Sequence, residues 1–308
     1  MKVEVQTHAA CLRHEPGPAH PEAPSRLRAV LEALDDAACA RAEIREAPRA
    51  SREQLERVHS AAHVDRIFAA SPGDGEHRID ADTVMSSGSL EAALRAAGAA
   101  CAAVDSVLTT PVRRVFCAVR PPGHHATRDV AMGFCLFNNI AVAAAHALQA
   151  HALERVAIID FDVHHGNGTA DIFAGEPRVF YASTHQAPLY PGTGAAGERG
   201  VGNIVNVPLA AGAGAAEFRH AFEMLILPAL TAWAPQLLLI SAGFDAHRLD
   251  PLASLRLGAE DYAWVTAALA EVADRHAGGR IVSMLEGGYS LAALRESTIA
   301  HVNALAAE

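Results

Sequence analysis

Lysine is almost missing from this chain of 308 residues: Lys2 is the only one. That scarcity excludes P-loop nucleotide hydrolases, pyridoxal-phosphate enzymes and Schiff-base aldolases, each of which needs a positioned lysine. Cysteine is sparse as well. Cys11, Cys39, Cys101, Cys117 and Cys135 contain no Cys-x-x-Cys pair and are too few for a disulfide scaffold, so free buried thiols in a reducing compartment are expected. Aromatic residues make up 5% of the chain, which with abundant alanine favours helical layers over a β-sandwich. Basic charge is also short. Twenty-five Lys and Arg against 35 Asp and Glu give a net charge of −10, the opposite of a nucleic-acid-binding surface. The acidic balance suits a cationic substrate, although solubility alone accounts for it equally well. A serine-hydrolase elbow, Gly-x-Ser-x-Gly, is lacking.

The first residues, Met1 to Val5, have no apolar signal-peptide core. One uncharged stretch from Met224 to Phe244 is long enough to mimic a membrane span. Pro228, Pro235 and Gln236 are expected to break it into a helix end, a turn and a buried strand. A cytoplasmic protein that engages neither membrane nor nucleic acid is therefore expected.

What the chain does have is an alternation of short apolar runs and helical patterns. Strands are predicted at Val3–Val5, Glu43–Arg45, Val115–Val119, Val156–Ile159, Val179–Ala182, Ile204–Val207, Leu237–Ile240 and Ile281–Leu285. Their continuous apolar character points to a parallel sheet buried on both faces. Helices are predicted from Ser25, as N-cap, through Leu34, and at Ser89–Leu108, Asn138–Leu153, Ala215–Leu227, Asp261–His276 and Leu291–Leu305. No linker or repeat interrupts the pattern, so a single α/β domain over residues 1–308 is expected.

Four predicted strands run into polar clusters: Arg120-Pro121-Pro122-Gly123-His124-His125, Asp160 to Gly168, Ser241 to His247, and Glu286-Gly287-Gly288-Tyr289. In an open parallel sheet, sites form beyond the carboxyl ends of the strands, so these clusters should converge. Asp162 and His164, two apart in an extended segment, point the same way and can meet one ion. Asp245 can supply a third ligand, leaving a coordination position open as in catalytic zinc sites. Other patterns carry less. Gly192-x-Gly194-x-x-Gly197 has dinucleotide-fingerprint spacing but follows Tyr190-Pro191, so it reads as a loop. His59 and His63, four apart on a predicted helix, lack the adjacent Glu of a zinc protease and read as surface or core residues.

Together with Gly133-Phe134-Cys135 and Pro191-Gly192-Thr193-Gly194, these motifs resemble the zinc-dependent histone deacetylase family, which includes bacterial deacetylase-like and acetylpolyamine amidohydrolases. The resemblance runs from His20 to Tyr289. It implies the arginase/deacetylase fold, a single α/β domain on an eight-stranded parallel sheet flanked by helices. It also implies zinc, or ferrous iron in the cell, on Asp162, His164 and Asp245. By the same resemblance His125 is the general base and acid, with His124 as its electrostatic partner held by Asp160. Asn167 orients His125, where several relatives carry aspartate, and Tyr289 donates to the oxyanion. A structural potassium site is implied at Asp160, Asp162, His164, Ser183 and Thr184. Gly133, Phe134, Tyr190 and Leu252 would wall a tunnel, with Asp82 at its rim. The implied activity is metal-dependent hydrolysis of linear amides, on acyl-lysine or a related small acylated amine. Acetylpolyamine hydrolysis is the alternative, and a catalytically silent acyl-amine-binding protein a third reading. Homo-oligomerisation is left open.

Overall fold

A computed structural model describes residues 2–39 and 42–307. The chain begins with β1 (Val3–Thr7), α1 (Pro24–Leu34), β2 (Ala42–Glu46), α2 (Arg52–Glu56) and α3 (Ala61–Ala70). A small hairpin, β3 (Glu76–Arg78) and β4 (Val84–Ser86), precedes the long helix α4 (Ser89–Thr109). Then come β5 (Arg114–Cys117), α5 (Asn139–Ala150), β6 (Val156–Asp160), α6 (Asn167–Phe173), β7 (Val179–Gln186) and β8 (Ile204–Leu209). The last part holds α7 (Ala215–Ala221), α8 (Leu227–Trp233), β9 (Leu237–Ala242), α9 (Ala259–His276), β10 (Ile281–Leu285) and α10 (Leu291–Ala306).

Eight strands form one sheet in the order β2-β1-β5-β10-β9-β6-β7-β8, and every pairing is parallel. All eight coincide with the predicted strands. Burial explains why their apolar runs are continuous: β5, β6, β9 and β10 are buried at every position. The four strands that carry polar motifs, β5, β10, β9 and β6, are consecutive neighbours at the centre of the sheet. Their carboxyl ends therefore open onto one place, as the rule for open parallel sheets requires.

The structure corrects several local expectations. Ser25 is not the N-cap of α1; Ala23 holds that position and Pro24 opens the first turn, where its fixed φ is already helical and its missing N–H costs nothing. Pro228 does not end a helix. A π turn at Phe222–Ile226 widens the ladder just before it, so the chain passes the proline and continues into α8. His59 lies outside the helix that carries His63, yet both rings are buried, stacked 4.7 Å apart, with their nitrogens on backbone groups of Thr127, Asn138 and Leu136. Both belong to the core. The β3–β4 hairpin and the short helices α2 and α6 were not anticipated, while α3 is the helix predicted around His63. Among the described residues one helix, α4, is long and apolar enough to cross a membrane by length and composition, with 67% of the relevant window buried inside the protein. The residues Gly192–Gly197 form an irregular loop, as read from the sequence. All five cysteines are free and buried.

Candidate metal and catalytic centre

Beyond the end of β6 the chain turns so that Asp162 and His164 face the loop after β9, which carries Asp245. Ligand atoms of these three residues lie within 4.8 Å of one another, and all three side chains are buried. His164 Nδ1 is 3.0 Å from Asp162 Oδ1, to which it donates, and 3.2 Å from Asp245 Oδ2. The outer carboxylate oxygens are held by backbone N–H groups: Gly287 donates to Asp162 Oδ2 at 2.8 Å and Val163 to Asp245 Oδ1 at 2.8 Å. Asp245 Oδ2 is buried and makes no hydrogen bond. A buried carboxylate oxygen without a partner is costly unless a cation meets it. The Asp245 carboxyl is pushed up to about 7 by burial and by the nearby Asp162 charge. Glycines leave the room: a Cβ on Gly287 would lie 2.0 Å from Asp245 Oδ2, and one on Gly243 2.1 Å from Asp162 Oδ2. Among the described residues, this donor set fits a divalent cation with N and O preference.

The histidine pair stands beside it. The rings of His124 and His125 are 4.0 Å apart, and His125 is 5.8 Å from His164. Their partners differ, and so do their protons. His124 Nδ1 donates to Asp160 Oδ2 at 3.0 Å. Burial opposes its charged form, but the Asp162 and Asp160 carboxylates outweigh burial and raise it well above the usual imidazole range. His125 Nδ1 faces Asn167 Oδ1 at 2.8 Å, while Asn167 Nδ2 turns to Met132 Sδ at 3.4 Å. The amide oxygen therefore accepts the Nδ1 proton, and Nε2 of His125 keeps its lone pair. Burial, reinforced by the positive His124 and His164, holds His125 well below the usual range. Their surroundings thus push the two rings in opposite directions, His124 toward the charged form and His125 toward the neutral one, a division suited to acid–base chemistry.

Tyr289 closes the other side. Burial raises its phenol well above 10, partly offset by the Arg26 guanidinium, which stacks 4.8 Å from the ring centroid. Its hydroxyl stays a hydrogen-bond donor at neutral pH. Phe134 stands 6.0 Å from the Tyr289 ring and Tyr190 5.1 Å from His125, so both line the approach. A Cβ on Gly133 would meet His125 at 2.5 Å, so that wall stays close to the base. Leu252 and Tyr190 are partly exposed. Asp82 is half-buried: Thr83 donates to it, and the same hydroxyl receives the Phe134 N–H at 3.2 Å. Ser183 lies opposite Asp160 across the β6–β7 ladder, and its hydroxyl hydrogen-bonds with His185; Thr184 is buried next to it.

Reading by pattern missed four residues that shape this centre: His20, Arg26, Asp250 and Glu286. His20 packs 4.8 Å from Phe134 and donates to the Asp82 carbonyl. Arg26 donates to the carbonyls of Gly288 and Glu286, and Glu286 accepts the N–H groups of Gly123 and His124. Asp250 accepts from Tyr289. The motif Glu286-Gly-Gly-Tyr289 was visible, but not what its glutamate holds.

Residues 20–305 match the model of the histone deacetylase domain. The chain belongs to the histone deacetylase family. It is 43% identical to the histone deacetylase-like amidohydrolase of Pseudomonas aeruginosa over 88% of this chain and 73% of that protein. A probable deacetylase of Archaeoglobus fulgidus is 39% identical over 92% of this chain and 80% of its own length. The crystal structure of the HDA15 HD domain superposes with a TM-score of 0.93 at 38% identity, covering 99% of this chain and 88% of that one. The eight-stranded architecture is thus that of a deacetylase, and this family member is a hydrolytic deacetylase enzyme.

Proposed function

We propose that this deacetylase is zinc-dependent and removes acetyl or other acyl groups from acyl-lysine or a related small acylated amine. The observation that carries the reading is the buried Asp245 Oδ2, without a hydrogen bond, inside a two-carboxylate, one-imidazole cluster, beside a histidine pair whose partners push the two rings in opposite directions. Asp162, His164 and Asp245 would hold zinc, and ferrous iron suits the same donors. Bound there, the ion supplies Lewis acidity at the acyl carbonyl and lowers the pKa of water.

The side chains supply the rest. His125 Nε2 takes a proton from the attacking water and returns it to the departing amine nitrogen as the C–N bond breaks. The imidazolium of His124, kept charged by Asp160, favours the negative charge that develops beside it. Tyr289 donates its hydroxyl to the carbonyl oxygen as that oxygen becomes anionic. Phe134, Gly133 and Tyr190 exclude water along the acyl chain and Asp82 receives donor groups of the substrate at the rim. A potassium ion near Asp160, Asp162, His164, Ser183 and Thr184 would be structural.

Acetylpolyamine hydrolysis is the competing reading, favoured by the net charge of −10. That field is screened within about 8 Å at physiological salt. Leu252 at the mouth offers an apolar wall and no carboxylate for a second ammonium, so acyl-lysine should have the higher kcat/KM. A side-by-side panel of acetyl-lysine peptides, longer acyl-lysines and acetylpolyamines on metal-defined enzyme tests this. Leu252→Glu should move the ratio toward polyamines about tenfold, the equivalent of about 1.4 kcal/mol. A wild-type preference for acetylpolyamines would reverse the choice.

A further inference from the structure

Most of the polar backbone groups in the loop from Glu286 to Tyr289 are fixed by residues far away in sequence. Arg26, on α1, takes the carbonyls of Glu286 and Gly288. Gly287 donates to the Asp162 carboxylate and accepts from the Phe244 N–H. The amide of Tyr289 itself donates to Asp250 Oδ2 at 2.7 Å. The other oxygen, Asp250 Oδ1, accepts the N–H of Leu252 at 3.0 Å. Asp250 is buried, and its own N–H donates to His247 O at 2.8 Å, so the carboxylate is set in a tight turn. No basic side chain pairs with it in a salt bridge among the described residues; its partners are backbone N–H groups. One carboxylate thus joins the backbone of Tyr289 to that of Leu252.

We propose that Asp250 is a positioning residue that fixes where the Tyr289 hydroxyl stands and couples that position to the rim loop carrying Leu252. The inference rests on the reading of Tyr289 as oxyanion donor. A charged acceptor for the Tyr289 amide is shorter and stronger than a neutral one, and it restrains the backbone from which the phenol projects. An oxyanion donor acts only when it is preorganised at the place where charge develops, so a small displacement lowers kcat more than it changes binding. Leu252 and Tyr289 share this anchor, so a substrate pressing on the rim is felt at the donor.

The experiment is a double-mutant cycle on metal-loaded full-length enzyme. Tyr289→Phe should lower kcat on the order of 10²-fold. Asp250→Asn keeps one accepting oxygen and places an NH₂ against the other N–H; kcat should fall about tenfold with metal content unchanged and KM little altered. In the Tyr289→Phe background the same substitution should cost almost nothing, because there is no hydroxyl left to misplace. Asp250→Glu, which retains the charge but shifts it by one methylene, should recover part of the loss and serves if the Asn variant folds poorly. Equal losses from Asp250→Asn in both backgrounds would overturn the proposal. If Tyr289→Phe alone leaves kcat unchanged, it is the oxyanion reading that fails, a separately recognisable result.

Discussion

Asp162, His164 and Asp245 gather at the carboxyl ends of β6 and β9, and Asp105, His146 and His151 gather where α4 passes the end of α5. By residue type and spacing the two clusters are alike: each brings three donor atoms within 4.8 Å. The difference lies in what already engages the ligand atoms. In the first, one carboxylate oxygen is buried without a hydrogen bond, the others are braced by backbone N–H groups, and Gly243 and Gly287 leave the space open. In the second, the Nε2 atoms of His146 and His151 approach the same oxygen, Asp105 Oδ1, at 2.8 and 2.7 Å. Arg57 donates to His146 Nδ1 at 2.6 Å. A guanidinium can only donate, so the proton of neutral His146 must sit on Nε2 and point at Asp105. The lone pair a metal would need is occupied. Donor identity alone does not make a metal site; a buried carboxylate oxygen left without a hydrogen bond sets the first cluster apart.

The largest expected effect breaks or upholds this contrast directly. Asp162→Ala or Asp245→Ala should remove the tightly bound divalent ion and reduce hydrolysis to background, as measured by metal analysis and turnover on the same samples. His146→Ala and His151→Ala should keep full occupancy and near-normal turnover. Equal metal loss from the α5 substitutions would erase the distinction.

A smaller effect sharpens it through the ring protons of the catalytic pair. His125 acts as base only when neutral, and burial with its positive neighbours holds it well below the ordinary imidazole value. The acidic limb of kcat/KM should therefore lie at lower pH than for a free histidine. Asn167→Asp puts an anion 2.8 Å from Nδ1, favours the imidazolium and raises that pKa. The acidic limb should move to higher pH by about one unit or more, with activity lost first on the acid side. An unmoved limb in the variant would separate Asn167 from the base.

Legibility from sequence follows the range of the interactions. The sheet was readable because each strand announces itself: Val156-Ala157-Ile158-Ile159 is apolar throughout since both faces are covered. The donor triad was readable because Asp162 and His164 are two apart and end a recognisable strand. Hairpin β3–β4 escaped notice because Glu76-His77-Arg78 is exposed and polar, with no alternation to detect. Helix α6 escaped because seven residues starting Asn167-Gly168 carry little helical propensity, and tertiary packing sustains them. The residues that position the site were least visible. Arg26 meets Gly288 across 262 positions and Asp250 meets Tyr289 across 39, and in both cases a side chain binds a backbone group whose own residue type is irrelevant to the contact. No local pattern encodes that.

The smallest expected effect concerns Arg57, and it tests the reason given for the second cluster being no metal site. If the tautomer imposed by Arg57 is what closes Asp105, His146 and His151 to metal, removing the guanidinium should open them. Arg57→Met keeps the apolar stem but takes away the donor to His146 Nδ1 and the ion pair with Glu53 at 3.1 Å. The proton can then move to Nδ1, leaving Nε2 free to coordinate beside His151 and the half-exposed Asp105. Stability should fall by only about 1 kcal/mol, the net worth of one such hydrogen bond, and turnover should be unaffected. Titration of zinc-loaded protein with Ni²⁺ should show no second equivalent in the wild type and one in Arg57→Met, abolished again by His151→Ala. A second equivalent already present in the wild type and lost in His146→Ala would show that Arg57 yields to metal and that the two clusters differ in affinity alone.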